Sequence, residues 1–198
     1  GPNALVEAAP EWYELLDRDL WHDQAWRDPW VIQANDGRFH MLITARANYG
    51  PADARGVIGH AVSANLIDWE ARPPLTTPGE FGHMEVPQVV TFNQHCYLLF
   101  SCPHNMTAQS RIARIGKPQD GTHYMIGDRP LGPYRYLTDT FITSDAQLYS
   151  GKIIRSANGE SFYIAFHNYD EKGNFVGVLS DPYPVEIDVT GHLHVTFE

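Results

Sequence analysis

Short runs of β-branched and aromatic residues alternate along the chain with clusters of Gly, Pro, Asn and Asp. The runs are WVIQ, RFHMLITAR, GVIGHAVS, QVVTF, HCYLLFSC, KIIRS, SFYIAFHN and FVGVLS. Runs of this length and composition, bounded by turn-forming residues, are typical of β-strands. The pattern therefore predicts an all-β fold with little helix.

The strand pattern also repeats along the chain. A strand, a turn and a second strand occupy residues 29–45, and similar copies occupy 87–102, at an offset of 58, and 151–166, about 64 positions later. A unit of about four short strands that recurs at such intervals is typical of a β-propeller blade, so about three blades are predicted. Because propellers close as rings of about 4–8 blades, the chain is expected to be part of a larger propeller or to pair with another polypeptide, unless the fold is a β-sandwich. The turn at Asn35-Asp36-Gly37 is predicted to be type I′.

Composition and charge exclude several classes of partner. The 198 residues are 43% hydrophobic and 19% charged, which suits one globular domain with a sizeable core. A net charge of -10 and the lack of a Lys/Arg stripe argue against nucleic acid as a partner. No apolar run approaches the roughly 20 residues that span a bilayer, and no signal-peptide pattern is present, so no membrane partner is expected and the compartment stays open.

The two cysteines are predicted to be free thiols. Cys96 and Cys102 lie six positions apart in one predicted strand. Their separation would be about 20 Å, whereas the Cα atoms of a disulfide lie roughly 4.4–6.8 Å apart. The histidines show no metal-ligand spacing, because His192 and His194 share one strand face while the others are scattered, so neither a metal nor a cofactor is expected.

Two carboxylates occupy similar places in neighbouring copies of the repeat. Asp28 lies one residue before Pro29, and Glu85 lies two residues before Pro87. Because the innermost strands of neighbouring blades line a common axis, both side chains are expected to open into one pocket. Two carboxyl groups on either side of a bond are what glycoside hydrolysis requires.

The neighbours of these carboxylates extend the candidate site. Arg27 is expected to keep Asp28 ionised, and the apolar neighbours of Glu85 would favour a protonated acid. Trp26 is a candidate for stacking on a sugar ring, and His83 for hydrogen bonding to sugar hydroxyls. The alternatives are a structural Arg27–Asp28 ion pair, a solvated Glu85, and a tryptophan and a histidine with roles in the core or at the surface.

Several motifs resemble those of a known family. WRDPWV resembles the Arg-Asp-Pro motif of glycoside hydrolase family 32, the invertases, levanases and inulinases, and of its relatives in families 43 and 68. MEVPQVV resembles the glutamate motif of these families, HAVSANLIDWE their Ser-x-Asp-Leu-x-x-Trp segment, and LGPYRY their Gly-Pro-aromatic segment. The similarity spans about residues 26–195 and keeps the family's motif order.

This resemblance implies a five-bladed β-propeller that hydrolyses β-fructofuranosyl linkages of sucrose, levan or inulin with retention. Asp28 would stabilise the transition state, Glu85 would be the general acid/base, and Arg27 would hold substrate and Asp28. Val86 stands where family 32 usually has Cys, and Gln88 where it often has Asp, which leaves the substrate least certain.

The resemblance also implies that the catalytic machinery is shared with further sequence. The nucleophile belongs to an Asn-Asp-Pro motif that precedes the quoted motifs. Residues 1–25 are therefore expected to be a lead-in segment or inter-blade linker, and residues 26–198 a partial propeller completed by N-terminal blades or by a complementary chain. This chain alone is expected to be inactive.

Other functions remain open alternatives. Within enzymes these are a family 43-like arabinan or xylan hydrolase and a fructosyl transferase. Outside enzymes they are a non-catalytic carbohydrate-binding propeller and a self-associating fragment whose open blades cover one another.

Overall fold

A computed structural model describes residues 6–92, 94–118, 120–137, 141–142, 148–170 and 172–197. The strands are β1 (Trp26–Gln33), β2 (Phe39–Arg46), β3 (Gly56–Ser63), β4 (Trp69–Arg72), β5 (Glu85–Phe92), β6 (His95–Cys102), β7 (Gly121–Gly127), β8 (Tyr134–Arg135), β9 (Leu148–Arg155), β10 (Ser161–Tyr169), β11 (Phe175–Leu179), β12 (Tyr183–Ile187) and β13 (Leu193–Val195). The helices are α1 (Gln109–Ile115) and two 3₁₀ turns, Ala52–Ala54 and His104–Met106. Within these described ranges, no helix has the length and apolar character needed to cross a membrane.

The strands form three sheets. The first has the order β1-β2-β3-β4 and the second the order β5-β6-β7-β8. In the third, β9 pairs with β10, successive parts of β10 pair with β11 and β12, and β13 pairs with β12. The pairings whose register is defined are antiparallel. The all-β prediction is confirmed, whereas the number of blades stays a prediction.

The chain divides into two compact units. One comprises Gly1–Pro87 with Asn105–Pro118, and the other Gln88–His104 with Gln119–Glu198. The first division falls within β5, between Pro87 and Gln88. The boundary predicted between residues 25 and 26 does not coincide with a division between the units, and it stays a prediction.

The first unit is built around β2 and β3, which are buried for most of their length. One apolar cluster consists of Ala8, Tyr13, Ala45, Ala47 and Val57, with the partly buried Trp26 packed against it. The Tyr13 hydroxyl donates to the carbonyl of Arg72 and accepts from the backbone N–H of His60. The described part of the predicted lead-in segment therefore packs within this unit.

The second unit has its own apolar core, to which β6, β7, β9, β10 and β13 contribute. Its buried residues are Tyr97, Leu99, Tyr124, Ile126, Leu148, Ile153, Tyr163, Ala165 and Leu193. Cys96 and Cys102, near the two ends of β6, are buried and form no disulfide, as predicted.

The hairpin turns correct one prediction. In the turn at 34–38, the N–H of Gly37 donates to Ala34 O and the N–H of Ala34 donates to Arg38 O. A type I′ turn needs positive φ at both central residues, but Gly37 (φ 77°) is the only residue here with positive φ. The loop therefore has three residues and is a type I turn followed by a left-handed glycine. Asp36 Oδ1 accepts the N–H of Arg38 across this loop. The same backbone hydrogen bonds recur around Gly159, Gly173 and Gly191. The predicted turn at 93–94 includes Asn93, which lies outside the described residues.

Candidate active site

A β-bulge positions Asp28 at the start of β1. Arg27 pairs with Thr44 and Trp30 with Leu42, so that Asp28 and Pro29 lie opposite the single residue Ile43. Asp28 has φ 57°, in the left-handed region that only a few residues other than glycine adopt. Such strain persists where the surrounding structure enforces it, and it is frequent at functional sites.

The same backbone feature marks the other two copies of the repeat. Val86 (φ 51°) precedes Pro87, and Ser150 (φ 56°) precedes Gly151 in a second register shift between β9 and β10. The structure therefore aligns Asp28 with Val86, one residue after Glu85. By the same offset, Glu85 occupies the position of Arg27 rather than that of Asp28.

Thr44 connects Asp28 to the backbone beside Glu85. Its hydroxyl donates to Asp28 Oδ2 at 2.9 Å and accepts the N–H of Val86 at 3.1 Å. The same N–H lies 3.4 Å from Asp28 Oδ2. The Asp28 carboxylate, 29% exposed in its side chain, is thus held at the start of β5.

Arg27 links three carboxylates. Its Nη2 donates to Glu85 Oε1 at 2.8 Å, its Nη1 donates to Asp23 Oδ2 at 3.3 Å, and its Nε lies 3.7 Å from Asp28 Oδ2. Burial lowers the pKa of Arg27, but the hydrogen bond to Glu85 and the surrounding negative charges outweigh this, so the net direction is upward. The predicted Arg27–Asp28 contact is present, but the shorter hydrogen bond is to Glu85.

His83 lies behind Glu85, with its side chain only 2% exposed. Its Nε2 accepts the indole N–H of Trp21 at 3.0 Å, and its Nδ1 lies 3.4 Å from Glu85 Oε1. Both ring nitrogens are therefore engaged within the protein, and a direct hydrogen bond from His83 to a sugar stays a prediction.

A buried ionic network supports Trp21. The guanidinium of Arg46 lies 3.7 Å from the centroid of the Trp21 ring and donates to Glu14, Gly82 O and Ala52 O. Burial lowers the pKa of Arg46, whereas its partner Glu14 acts to raise it. Arg55 donates to the same Glu14 carboxylate at 2.7 Å.

Trp26 is not brought into this group. It pairs with Ala45 while Arg27 pairs with Thr44, so the two side chains point to opposite faces of the sheet. Its ring packs on Tyr13 at 4.8 Å, and its indole N–H donates to the carbonyl of Val6. Stacking of Trp26 on a sugar therefore stays a prediction, and its partly buried ring packs against the apolar cluster around Tyr13.

His22, Asp23 and His83 are close enough to one another to hold a metal ion, since one ligand atom from each lies within 4.8 Å of the others. However, His83 Nε2 already accepts a hydrogen bond from Trp21, and Asp23 accepts one from Arg27. A metal bound through His83 Nε2 would have to displace the Trp21 donor and would lie beside the guanidinium of Arg27. We therefore assign no metal to this group.

Comparison with known proteins identifies the fold. No family model and no curated protein sequence matches the chain. The chain is similar to an inulosucrase from Halalkalicoccus jeotgali bound to kestose, with a TM-score of 0.79 and 24% identity over 97% of this chain and 55% of that one. It is also similar to a β-fructofuranosidase mutant from Microbacterium saccharophilum, with a TM-score of 0.76 and 14% identity over 96% of this chain and 46% of that one. A levansucrase from Gluconacetobacter diazotrophicus matches with a TM-score of 0.77 and 16% identity over 97% of this chain and 48% of that one. The chain has the fold of these structures. It spans about half of their length.

Three residues of the cluster were not predicted from the sequence. Thr44 and Trp21 lie outside the motifs that resemble the known family, so nothing in the sequence marked them as site residues. Asp23 lies four positions before Arg27 in an acidic stretch, and this spacing was its only signal. The four residues Arg27, Asp28, His83 and Glu85 were predicted and lie together in the structure.

His60 contacts a second histidine, His40, on the neighbouring strand. Its ring stacks on that of His40 at 5.2 Å, with His60 Nε2 2.9 Å from His40 Nδ1, and His40 Nε2 lies 3.3 Å from Asp36. Burial, followed by the charges of His40, Arg72 and Arg38, lowers the pKa of His60 to about 4.

This shift predicts an acid-sensitive contribution to stability. The unfolded chain protonates His60 near pH 6.5 and the folded chain only near pH 4. The unfolded state therefore binds more protons between these values, so the contribution is complete above pH 6.5 and is lost as the pH falls towards 4. Allowing for solvent screening, we expect His60→Gln to reduce the loss of unfolding free energy between pH 7 and pH 4.5 by about 1–2 kcal/mol. Urea unfolding at both pH values, with the exposed His22→Gln as control, measures it, and identical slopes for wild type and His60→Gln would contradict the assignment.

Proposed function

We propose that this chain forms part of a glycosidase that acts on β-fructofuranosyl linkages of the sucrose, levan or inulin type. The observation that carries the proposal is that Arg27 contacts both Asp28 and Glu85, although Glu85 lies 58 positions further along the chain. Two carboxylates held about one guanidinium on a strained backbone are poorly explained as a surface ion pair. The resemblance of the motifs and the fold shared with fructan-related enzymes support the same substrate class.

In this proposal Glu85 transfers the proton. As general acid it protonates the leaving oxygen, and as general base it later takes a proton from the attacking water. Its side chain is 18% exposed, so it remains open to a ligand. Arg27 restricts its orientation through a hydrogen bond to one carboxylate oxygen.

Asp28 stabilises the transition state and does not form a covalent bond in this proposal. An oxocarbenium-like sugar carries developing positive charge, which a fixed carboxylate stabilises, and the same carboxylate can accept hydrogen bonds from sugar hydroxyls. The bulge and the Thr44 hydroxyl hold Asp28 in place before the sugar arrives. Such preorganisation avoids reorganisation during the reaction.

We assign the nucleophile to no residue of this chain. The resemblance places it in an Asn-Asp-Pro motif on the N-terminal side of the Arg-Asp-Pro motif, and we propose that further blades of a five-bladed propeller supply it. Two observations support further blades: the chain spans about half of the matched structures, and the third sheet exposes large apolar side chains. These side chains are Ile154, Phe166, Tyr169, Phe175, Val176, Val178 and Leu179.

Asp28→Asn tests the proposal. Asparagine fits the left-handed backbone as well as aspartate does, so we expect the melting temperature to change little. In the complete enzyme, with the blades that supply the nucleophile, we expect kcat/KM on sucrose or a fructo-oligosaccharide to fall by about 100-fold or more, because the charge that stabilises the transition state is lost. If the chain binds without turnover, calorimetry with fructo-oligosaccharides should show weaker binding to Asp28→Asn.

The controls separate this proposal from its alternatives. Asp68→Asn, on the β3–β4 hairpin, should leave activity and binding unchanged. Hydrolysis of arabinan or xylan oligosaccharides in preference to fructosides would favour the family 43-like alternative. A collapse of the melting temperature in Asp28→Asn would instead indicate a structural ion pair.

Transfer to a sugar acceptor is the second candidate. Two of the similar structures are named inulosucrase and levansucrase. Product analysis at high sucrose distinguishes the two reactions, because hydrolysis releases free fructose in step with glucose, whereas transfer releases more glucose than fructose and forms longer fructosides.

A further inference from the structure

His83 and Glu85 lie on the same side of the segment that enters β5. They are two positions apart in extended chain, where alternate side chains share a face. The imidazole is buried beside the candidate active site, and no motif of the resemblance accounts for it. Its position raises the question of which nitrogen carries the proton.

Trp21 determines the tautomer of His83. An indole N–H can only donate a hydrogen bond, and it lies 3.0 Å from His83 Nε2. His83 Nε2 must therefore accept and carry no proton, which places the single proton of the neutral ring on Nδ1. Asp23 Oδ1 lies 3.5 Å from the same nitrogen, farther away than the Trp21 donor.

The proton on Nδ1 faces Glu85. Nδ1 lies 3.4 Å from Glu85 Oε1, near the outer limit of a hydrogen bond, and also 3.4 Å from Arg27 Nη2. Because a guanidinium nitrogen can only donate, the acceptor available to a proton on Nδ1 is the Glu85 oxygen. The same oxygen accepts from Arg27 Nη2 at 2.8 Å. One carboxylate oxygen of Glu85 is thus approached by two donors, one from Arg27 and one from His83.

Trp21 is itself held in place. One face of its ring stacks on the buried Arg46 guanidinium, and a Cβ at Gly82 would lie 3.1 Å from the ring. Arg46 is 1% exposed and bound to Glu14 and to two backbone carbonyls. The indole N–H therefore has little freedom to move away from His83.

We propose that Trp21, acting through His83, is a positioning residue for Glu85: its indole N–H holds the His83 proton on Nδ1, and this proton restricts the carboxylate of Glu85. The catalytic meaning of this contact rests on the proposed function, but the hydrogen-bond chain Trp21–His83–Glu85 does not. The proposal therefore makes a spectroscopic prediction that needs no turnover.

Nitrogen-15 NMR of the histidine rings tests the proposal on the full chain at neutral pH, with the His83 signals assigned by their loss in His83→Gln. We expect His83 to carry its proton on Nδ1 in the wild type, and Trp21→Phe to populate the Nε2–H form. Trp69→Phe is the matched control, since it also removes an indole N–H that donates to a protein acceptor, the carbonyl of Leu66, and it should leave His83 unchanged. A wild-type His83 protonated on Nε2, or a tautomer unaffected by Trp21→Phe, would overturn the proposal.

A second variant keeps the test valid if Trp21→Phe does not fold. Glu85→Gln should shift the Nδ1 proton signal of His83 while Nε2 remains an acceptor, and an unshifted Nδ1 signal would contradict the contact. In the complete enzyme, with the blades that supply the nucleophile, Trp21→Phe should lower kcat on fructosides about 10- to 100-fold with little change in KM, because Glu85 is misplaced without loss of sugar contacts. Absence of turnover in the complete wild-type enzyme, with the expected tautomers, would count against the proposed function alone. Turnover together with a His83 tautomer that Trp21→Phe leaves unchanged would count against the positioning role alone.

Discussion

In the complete enzyme, replacing Glu85 with glutamine is expected to lower kcat by about 10²- to 10⁴-fold on sucrose or a fructo-oligosaccharide, which is the range that general acid–base catalysis contributes. Glutamine has nearly the same volume and its carbonyl can still accept from Arg27, but it cannot supply a proton to the leaving oxygen. An aryl fructoside with a good leaving group needs less protonation and should retain much more of its rate of bond cleavage. The measurement is steady-state kinetics on both substrates, with product release checked by a burst phase.

The chain offers a matched control for this variant. Glu80 also accepts hydrogen bonds from arginine, from Arg111 at 2.7 Å and from Arg114, and its side chain is 28% exposed. Glu80→Gln therefore removes a comparable ion pair, and we expect it to leave both rates unchanged. An equal loss on both substrates in Glu85→Gln would argue against proton transfer by Glu85 and in favour of a role in binding.

Glu14→Gln is expected to reduce the free energy of unfolding by about 3–5 kcal/mol, the usual cost of leaving a buried charge without its partner. Glu14 is 7% exposed and accepts from Arg46 Nε at 2.8 Å and from Arg55 Nη1 at 2.7 Å. Without its charge, the guanidinium of Arg46 would remain buried between two backbone carbonyls and an aromatic ring. Urea unfolding followed by fluorescence measures the effect.

The exposed Glu11→Gln, three residues earlier, is the control and should change stability by less than about 0.5 kcal/mol. A loss in Glu14→Gln of under about 1 kcal/mol would mean that water or a neighbouring group compensates for the missing carboxylate. Because Trp21 stacks on Arg46, the variant should also perturb the His83 ring signals, which links the stability of this network to the geometry at Glu85.

The sequence predicts the strand pairs more reliably than the details of the site. The hairpins around residues 34–38 and 156–160 were predicted because turn residues between two apolar runs act locally. The predicted turn type at Asn35-Asp36-Gly37 was wrong, because it depends on whether two or three residues form the loop. The hydrogen bond that the Asp36 side chain accepts from the N–H of Arg38 influences that choice.

In the candidate site, too, the general arrangement was predicted and the individual contacts were not. The repeat and the two acidic motifs predicted that Asp28 and Glu85 lie near each other. They did not predict that Arg27 makes its shorter hydrogen bond with Glu85, or that Thr44 connects the two motifs. The repeat did contain a signal for the first, since Arg27 and Glu85 each precede the proline of their copy by two positions.

What the sequence by itself determined is the set of strands, the hairpins and the bringing together of two acids, because period-two alternation, turn chemistry and a repeated unit are all readable along a single chain. Only the tertiary structure decided the partners of each charged group. Hydrogen bonds from Trp21 to His83, from Arg27 to Glu85 and from Thr44 to Asp28 join residues up to 62 positions apart, and they depend on distances of a few ångströms between side chains on different strands and loops. Those distances follow from a strained bulge and from a buried arginine, and neither feature leaves a local pattern in the sequence.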